Sequence, residues 1–490
     1  MIPNIILQIL VMPLLASITS ILIGRRLGKE IGWVSGVIQA YSTVLLLVAG
    51  WKVVFKTVRE EYIWITLPKV KFAFLIDNLN WPIAFVLSLI CTCMSFYSIE
   101  YVEQRIEVLY GSRNASTYYG LYYAFYPLFH TGLLGIVFSE NLILVWFFME
   151  FLLVPSYFLI AYFGYEERYK TALMCFLYGT AGASLFLIGI LLAYTHIGTF
   201  SINAMSKLNG LTAYMIIVLI LLGLLIKMSI FGFHVWTPWV EGECPTSIAG
   251  ILACYANIGT YLIVRILIQP LSIFFQLLSI PIMVWALITM VYGAFLALSQ
   301  DDVKRLCACS TISQIAYSLI GIGSLTSLGI SGGILYFLSH CLGKTLLFSS
   351  AGLLVYETEI RDIRKLGGLA QKLPETAILW FLGSMILSAL PPLSGFQAEW
   401  LLFAGIFQKS IFSSIILIIA ILVVTATILT VVYTFWPMKR IFFGETREHL
   451  ENIRNPPKSM IMSLIPLIIV SLLIGIYPQI FMKYLTKSLF

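Results

Sequence analysis

Residues 376–408 read TAILWFLGSMILSALPPLSGFQAEWLLFAGIFQ. The run is apolar throughout except for Glu399, and it is too long for one passage of a bilayer, which takes about 20 helical residues. Pro391-Pro392-Leu393-Ser394-Gly395 stands in its middle. Two prolines remove two backbone donors and glycine loosens the turn, so the spacing predicts a helix broken at membrane depth.

The rest of the chain fits that reading. Of 490 residues, 60% are hydrophobic and 11% charged, with a mean hydropathy of +0.95. Soluble proteins carry roughly 25% charged residues, so a soluble globule of this size could not cover its surface. Hydrophobic runs and breakers predict fourteen helices, near 2–23, 33–53, 76–98, 119–138, 141–163, 172–194, 212–234, 247–268, 275–298, 305–324, 328–355, 376–408, 412–436 and 459–482. This is the pattern of an all-α polytopic membrane protein. The seventh span carries a softer break around Gly232 and Pro238. The first run lacks a basic start and a small-residue cleavage site, and reads as a retained helix.

Several function classes drop out. The polar gaps are too short for a soluble catalytic domain. The net charge of +7 is scattered over short connections and suggests topology, not nucleic acid. The eight cysteines lie nearly all in apolar segments without cluster or zinc spacing, and no glycine-rich nucleotide loop occurs. The expectation is therefore a chain with no cofactor and no metal of its own. Of the basic residues, 18 fall in odd-numbered loops, Arg113 among them, and 10 in even loops and tails, Lys69 among them. By the positive-inside rule both termini face away from the cytoplasm.

The informative residues are the ionisable groups left inside apolar spans: Glu150 in the fifth, Lys227 in the seventh, His340 and Lys344 in the eleventh, Glu399 in the twelfth. Each costs at least ~2.5–3.5 kcal/mol near mid-bilayer unless paired or wetted. One acid–base pair would suffice to glue helices together; several groups on four spans suggest a chain of proton stations. Lys227 and His234 are spaced to share a helix face two turns apart, and His340 and Lys344 lie one turn apart. The plainer reading of His234 is a hydrogen-bonded buried histidine. His130, His196 and His449 read as helix ends or loops and are left aside. For Glu399 the plainer reading is a cap on the second half-helix through its dipole. The residues by themselves lead to an ion or proton translocator with no visible energy source.

Four motifs then bring in a resemblance. Lys227 to Thr246, KMSIFGFHVWTPWVEGECPT, resembles the K-x-P-x-x-x-x-H-x-W-x-P…E-A-P-T stretch of the antiporter-like subunits of respiratory complex I. Gln300 to Gln314, QDDVKRLCACSTISQ, is similar to their Q-x-D-x-K-R-L-x-A-Y-S-S-x-S-Q/H. Ile360 to Leu369, IRDIRKLGGL, is close to their T-R-D-I-x-x-L-G-G-L, and Asn141 to Ser156 looks like their fifth helix. Subunits of Mrp-type sodium/proton antiporters and membrane-bound hydrogenases belong to the same family. The resemblance spans roughly residues 75–400.

It implies two inverted five-helix repeats, helices 4–8 (residues 119–268) and 9–13 (residues 275–436), with helices 7 and 12 broken. Residues 1–118 would form three leading helices and 437–490 the last one. The family's paired glutamate and lysine fall on Glu150 and Lys227, and its terminal site on Glu399. That glutamate looks like the NADH:quinone oxidoreductase chain 4 type and its Mrp counterpart. The family's central lysine on helix 8 is replaced, Asn257 standing nearest by counting back from Arg265, so the central relay would run through Asn257 and the His340–Lys344 pair. Phe231 stands near the family's usual proline-containing turn. The implied role is a proton- or sodium-translocating subunit in a prokaryotic plasma membrane. Its partners would be other membrane subunits and redox subunits with iron–sulfur clusters, with no nucleic acid. A subunit of an Mrp-type antiporter or hydrogenase-type complex is the alternative, and a purely structural scaffold is a third.

Overall fold

The computed structural model of the protein describes residues 3–66, 70–111 and 115–489. Ile2, Lys69 and Arg113 lie outside the described residues. The elements in order are α1 (Ile5–Leu27), α2 (Ile31–Val53), β1 (Val58–Ile65), β2 (Val70–Ile76), α3 (Asn80–Tyr110), α4 (Ala115–Phe138), α5 (Leu142–Phe163), α6 (Arg168–Ile197), α7 (Gly210–Lys227) and α8 (Thr237–Glu243). There follow α9 (Thr246–Leu262), α10 (Gln269–Leu298), α11 (Val303–Gly323), α12 (Ser327–Thr358), α13 (Pro374–Leu387), α14 (Ser394–Ser410), α15 (Ser414–Phe442), α16 (Lys458–Met462), α17 (Ile465–Ile476) and α18 (Gln479–Leu489).

The fold is mostly helical. Among the described residues, 11 helical stretches are long and apolar enough to cross a membrane. Two of them, 49 and 53 residues long, run α1 into α2 and α9 into α10 with no coil between. Core and rim differ in what they show to the outside. α11 is buried along its whole hydrophobic window and α12 nearly so, whereas α15 and α6 leave most of theirs uncovered. Ile415, Leu422 and Ile428 of α15 are exposed apolar side chains of the kind lipid accepts.

Four sequence-based expectations need correction. The chain is not purely helical: β1 and β2 form an antiparallel hairpin, with Val58 opposite Ile76 and Tyr62 opposite Phe72. The third span therefore starts at Asn80, not at residue 76. The hairpin does structural work. The Glu60 carboxylate accepts from the Ile6 and Leu7 amides at 2.9 and 3.0 Å, capping α1, and Arg59 meets Glu140 at 2.6 Å. The seventh span, expected over 212–234, stops at Lys227. The last span, expected over 459–482, is divided among α16, α17 and α18. The chain also closes on itself: Tyr484 of α18 donates to the Gly50 carbonyl at 3.1 Å and packs on the Trp81 ring at 4.4 Å.

The expected break in the twelfth span is present between α13 and α14. Gly395 is required there, since a Cβ would overlap the Ile386 carbonyl. The two breaks are built alike. After α7, Ser229 takes a left-handed φ of 56°, and Ser229, Ile230 and Phe233 donate to Ile226, Leu225 and Ile230. After α13, Ala389 takes a φ of 52°, and Ala389, Leu390 and Leu393 donate to Ile386, Met385 and Leu390. A second matching pair joins the two halves of the chain. Asn141 caps α5 and bridges to Ser201, as Asp302 caps α11 and bridges to Asp362.

Candidate functional site

The unwound segment after α7 leaves backbone groups that the surroundings must satisfy. Trp236 donates its indole N–H to the Ile226 carbonyl at 3.2 Å. The Phe231 amide donates to Thr289 at 3.1 Å, and Trp285 donates to the Phe231 carbonyl at 2.9 Å. Ser229 and Thr237 join hydroxyls across the break. This end of α7 is thereby a fixed platform for Lys227, its last residue.

Lys227 is 4% exposed. Its Nζ donates to the Tyr255 hydroxyl of α9 at 2.6 Å, and Tyr255 in turn reaches the Met149 carbonyl of α5 at 3.4 Å. Glu150, the next residue on α5, is half-buried. Among the described residues no direct ion pair joins Glu150 and Lys227; Tyr255 stands between α5 and α7 instead. Gly182 of α6 makes room for the lysine stem, since a Cβ there would stand 3.2 Å from Lys227 Cγ. A cavity of about 10 Å³ bounded by Cys175, Trp236 and Tyr255 adjoins the ammonium, close to the room one water needs.

His234 is not on the face of α7 that carries Lys227, because the helix ends before it. The imidazole sits half-buried in the turn leading to α8, bonded to Tyr292 at 3.2 Å and to the Gly232 amide at 3.3 Å.

The central region holds Asn257, His340 and Lys344, all fully buried. Thr260 donates to Asn257 Oδ1 at 2.8 Å, which turns the amide nitrogen to His340 Nδ1 at 3.2 Å and Ser318 at 3.4 Å. His340 Nδ1 therefore accepts, its hydrogen lies on Nε2, and Nε2 is buried with no hydrogen-bond partner. Lys344 shares the α12 face with His340 but turns to α11, donating to the Cys307 carbonyl at 2.7 Å and to Ser310.

Beyond Lys344 runs a polar network. Tyr336 donates to Gln314 Oε1 at 2.7 Å, Gln314 donates to Tyr433 at 2.6 Å, and Thr430 bonds Tyr317 at 2.7 Å. Glu399 is 8% exposed on α14, which packs against α11, α12 and α15, the helices that carry this network. It stands beyond the first turn of α14, which contains no acidic residue. A helix dipole acts within the first turn, so the capping reading loses its geometry.

Sequence reasoning missed two groups. His130 is no helix end: it is fully buried in α4, bonded to Gln39 and Ser88 at 3.0 Å each. Glu241 of α8 is fully buried as well, with Oε2 accepting from Thr311 at 2.7 Å. Its signal was the W-V-E-G-E run after Pro238, which becomes legible once that stretch is helix and not loop.

The family described as NADH:quinone oxidoreductase/Mrp antiporter, transmembrane, matches residues 139–430. The chain belongs to that family. It is 30% identical over 432 residues to NADH-quinone oxidoreductase subunit M of Rickettsia felis, covering 86% of this chain and 83% of that one. The fold is similar to a chain of respiratory complex I from Thermus thermophilus, with a TM-score of 0.87, 21% identity and 99% and 98% coverage. It is equally similar to a chain of the Mrp complex from Dietzia sp., with a TM-score of 0.86, 19% identity and 99% and 96% coverage. As a family member the chain is a multi-pass membrane protein. The structure brings Asn257 to His340 and sets Lys227 on Tyr255. It leaves His234 apart, and it hands Lys344 to α11.

Proposed function

We propose that this chain is the proton- or sodium/proton-translocating membrane subunit of a redox-driven complex I-like oxidoreductase. The observation that carries the reading is the set of polar groups inside the apolar helices: half-buried Glu150 and buried Lys227, Asn257, His340, Lys344 and Glu399. Buried lysines on α7 and α12 are costly in an apolar interior and are retained where charge must move. His234 lies at the edge of this set, beside a cavity of about 260 Å³ that also holds Tyr292 and Arg305. Ions move without a cofactor bound by this chain, and electron transfer in iron–sulfur partner subunits supplies the energy.

The proposal extends to topology. The two long stretches each divide into two crossings and α13–α14 makes a broken one, which gives fourteen. The matched breaks and the matched α5 and α11 starts support two five-helix repeats over 119–268 and 275–436. An odd number of crossings per repeat inverts the second against the first. Residues 1–118 and 437–490 flank them, and both termini face away from the cytoplasm of a prokaryotic plasma membrane.

The test is Lys227→Ala in the assembled complex, reconstituted in vesicles. Proton-to-electron ratio should fall to near zero with subunit composition intact; an unchanged ratio refutes the reading. The second reading, an Mrp-type cation/proton antiporter subunit, is favoured by the equal likeness to the Dietzia fold. Ion exchange driven by a sodium gradient without any electron donor would select it.

A further inference from the structure

The second half of the chain has no acid where the first half has Glu150. Glu150 and Thr311 stand at the same separation from the bridging residues Asn141 and Asp302 that open α5 and α11. The place of a carboxylate is thus taken by a hydroxyl, and that hydroxyl donates to Glu241. Glu241 comes from α8, on the far side of the break that follows Lys227.

Glu241 and Lys344 meet on one turn of α11. Lys344 Nζ donates to the Cys307 carbonyl at 2.7 Å and also bonds Ser310. Thr311 Oγ1 lies 2.7 Å from Glu241 Oε2 and 3.4 Å from that same Cys307 carbonyl. Glu241 Oε1 is buried with no hydrogen-bond partner. A buried carboxylate oxygen without a donor is costly, and an acceptor held open in this way suits a proton that arrives and leaves.

The other charges nearby are engaged elsewhere. Glu243, two residues on, meets Arg361 at 3.2 Å and Arg305 at 3.5 Å. Lys304 of α11 donates to the Cys244 carbonyl at 2.5 Å and lies over the Tyr165 ring. The buried Cys244 thiol donates to the Glu241 backbone carbonyl at 3.4 Å. Lys344 is the fully buried cation that shares the Cys307 carbonyl with Thr311, the donor to Glu241.

We infer that Glu241 and Lys344 form a second buried acid–lysine pair, exchanging a proton across the Cys307–Thr311 turn of α11. In the exchange an Nζ–H bond of Lys344 breaks and an O–H bond forms on Glu241 Oε1, a water molecule carrying the proton because no hydrogen bond joins the two side chains directly. An ammonium and a carboxylate become a neutral amine and a neutral carboxylic acid, and the reverse step restores both charges. The proton ledger closes within the pair, and no redox partner is needed. This pair supplies the ionisable function that α9 lacks at Asn257. The inference deepens the proton-translocation reading and rests on it for its physiological role.

The experiment uses the whole complex in vesicles, with infrared difference spectra recorded across a pH titration alongside pumping. Glu241→Gln keeps an acceptor for Thr311 but cannot hold the proton. It should remove a carboxylic-acid C=O band and lower the proton-to-electron ratio at least about tenfold, a modest loss for a proton-transfer group. Glu241→Asp should retain the band and recover part of the ratio. Lys344→Met should move the pH midpoint of the Glu241 band. A Glu241 band that titrates identically with and without Lys344 overturns the pairing, and so does wild-type pumping in Glu241→Gln. If Lys227→Ala pumps normally while the band still responds to Lys344, the pair stands and the translocation reading falls.

Discussion

Tyr255→Phe removes one oxygen from the best-defined contact in the first half of the site. That oxygen takes a 2.6 Å bond from Lys227 Nζ and reaches the Met149 carbonyl at 3.4 Å. A hydrogen bond to a charged group contributes about 1.5–3 kcal/mol. Two features reduce the loss. The ring stays, 5.0 Å from the ammonium, and keeps its cation–π attraction. The small cavity bounded by Tyr255 and Lys227 grows by the space of the missing hydroxyl, so a water can take over part of the bond. The net effect should therefore sit at the low end, about 1.5 kcal/mol, which is roughly a tenfold change in an equilibrium. Pumping rate per electron, measured with a pH-sensitive dye in vesicles holding the assembled complex, should fall about tenfold for Tyr255→Phe, and Lys227→Ala should abolish it. A phenylalanine variant that pumps like wild type would show that the hydroxyl does not hold the working lysine. One as inactive as Lys227→Ala would show that Tyr255 is itself a proton carrier.

Other expectations follow from single contacts. Glu399→Gln should assemble normally and lose translocation, because no first-turn cap is lost with it; full pumping would remove Glu399 from the path. Gly395→Ala, whose Cβ would overlap the Ile386 carbonyl, should destabilise the break by about 3 kcal/mol or more. Thermal unfolding of the purified complex reads that loss, and an unshifted curve would contradict the tight turn. In the hairpin, the hydrogen bond from Lys71, aided by the Arg59 and Lys71 charges and opposed by partial burial, holds the Glu61 carboxyl below its ordinary value. A lowered carboxylate contributes stability in full above its unfolded pKa and loses it as pH falls through its lower folded value. For so exposed a pair the contribution is under about 1 kcal/mol. A fluorine label on Trp64, stacked on Phe72 at 4.5 Å, should therefore report loosening only at acid pH, and Lys71→Met, which removes the main cause of the lowered value, should flatten that pH dependence.

Hydropathy and breakers made the helical frame legible, because each crossing must carry its own apolar run and its own backbone bonds. The Pro391–Gly395 break was equally open to reading. The break in the seventh span was legible in part: Gly232 and Pro238 marked it, but less sharply than paired prolines, so its onset was placed too late. Placing it late put His234 on the wrong face. The hairpin was hidden since Val58-Arg59-Glu60-Glu61-Tyr62 reads as a polar loop until its partner strand is known. For the site, charge in an apolar run was enough to find Glu150, Lys227, His340, Lys344 and Glu399. What each one touches depends on contacts far apart in sequence, and no local pattern could have set Thr311 of α11 against Glu241 of α8.

The clasp of Tyr484 on Gly50 and Trp81 also has a timetable. Its partners lie 434 positions apart. At roughly 5–20 residues per second of synthesis, the face of α2 and α3 around Trp81 waits roughly 20–90 s for the segment that covers it. Throughout that interval a nascent chain presents to lipid, or to an assembly factor, a surface that the finished protein conceals. A cell therefore has a structural mark by which to tell an incomplete copy from a complete one.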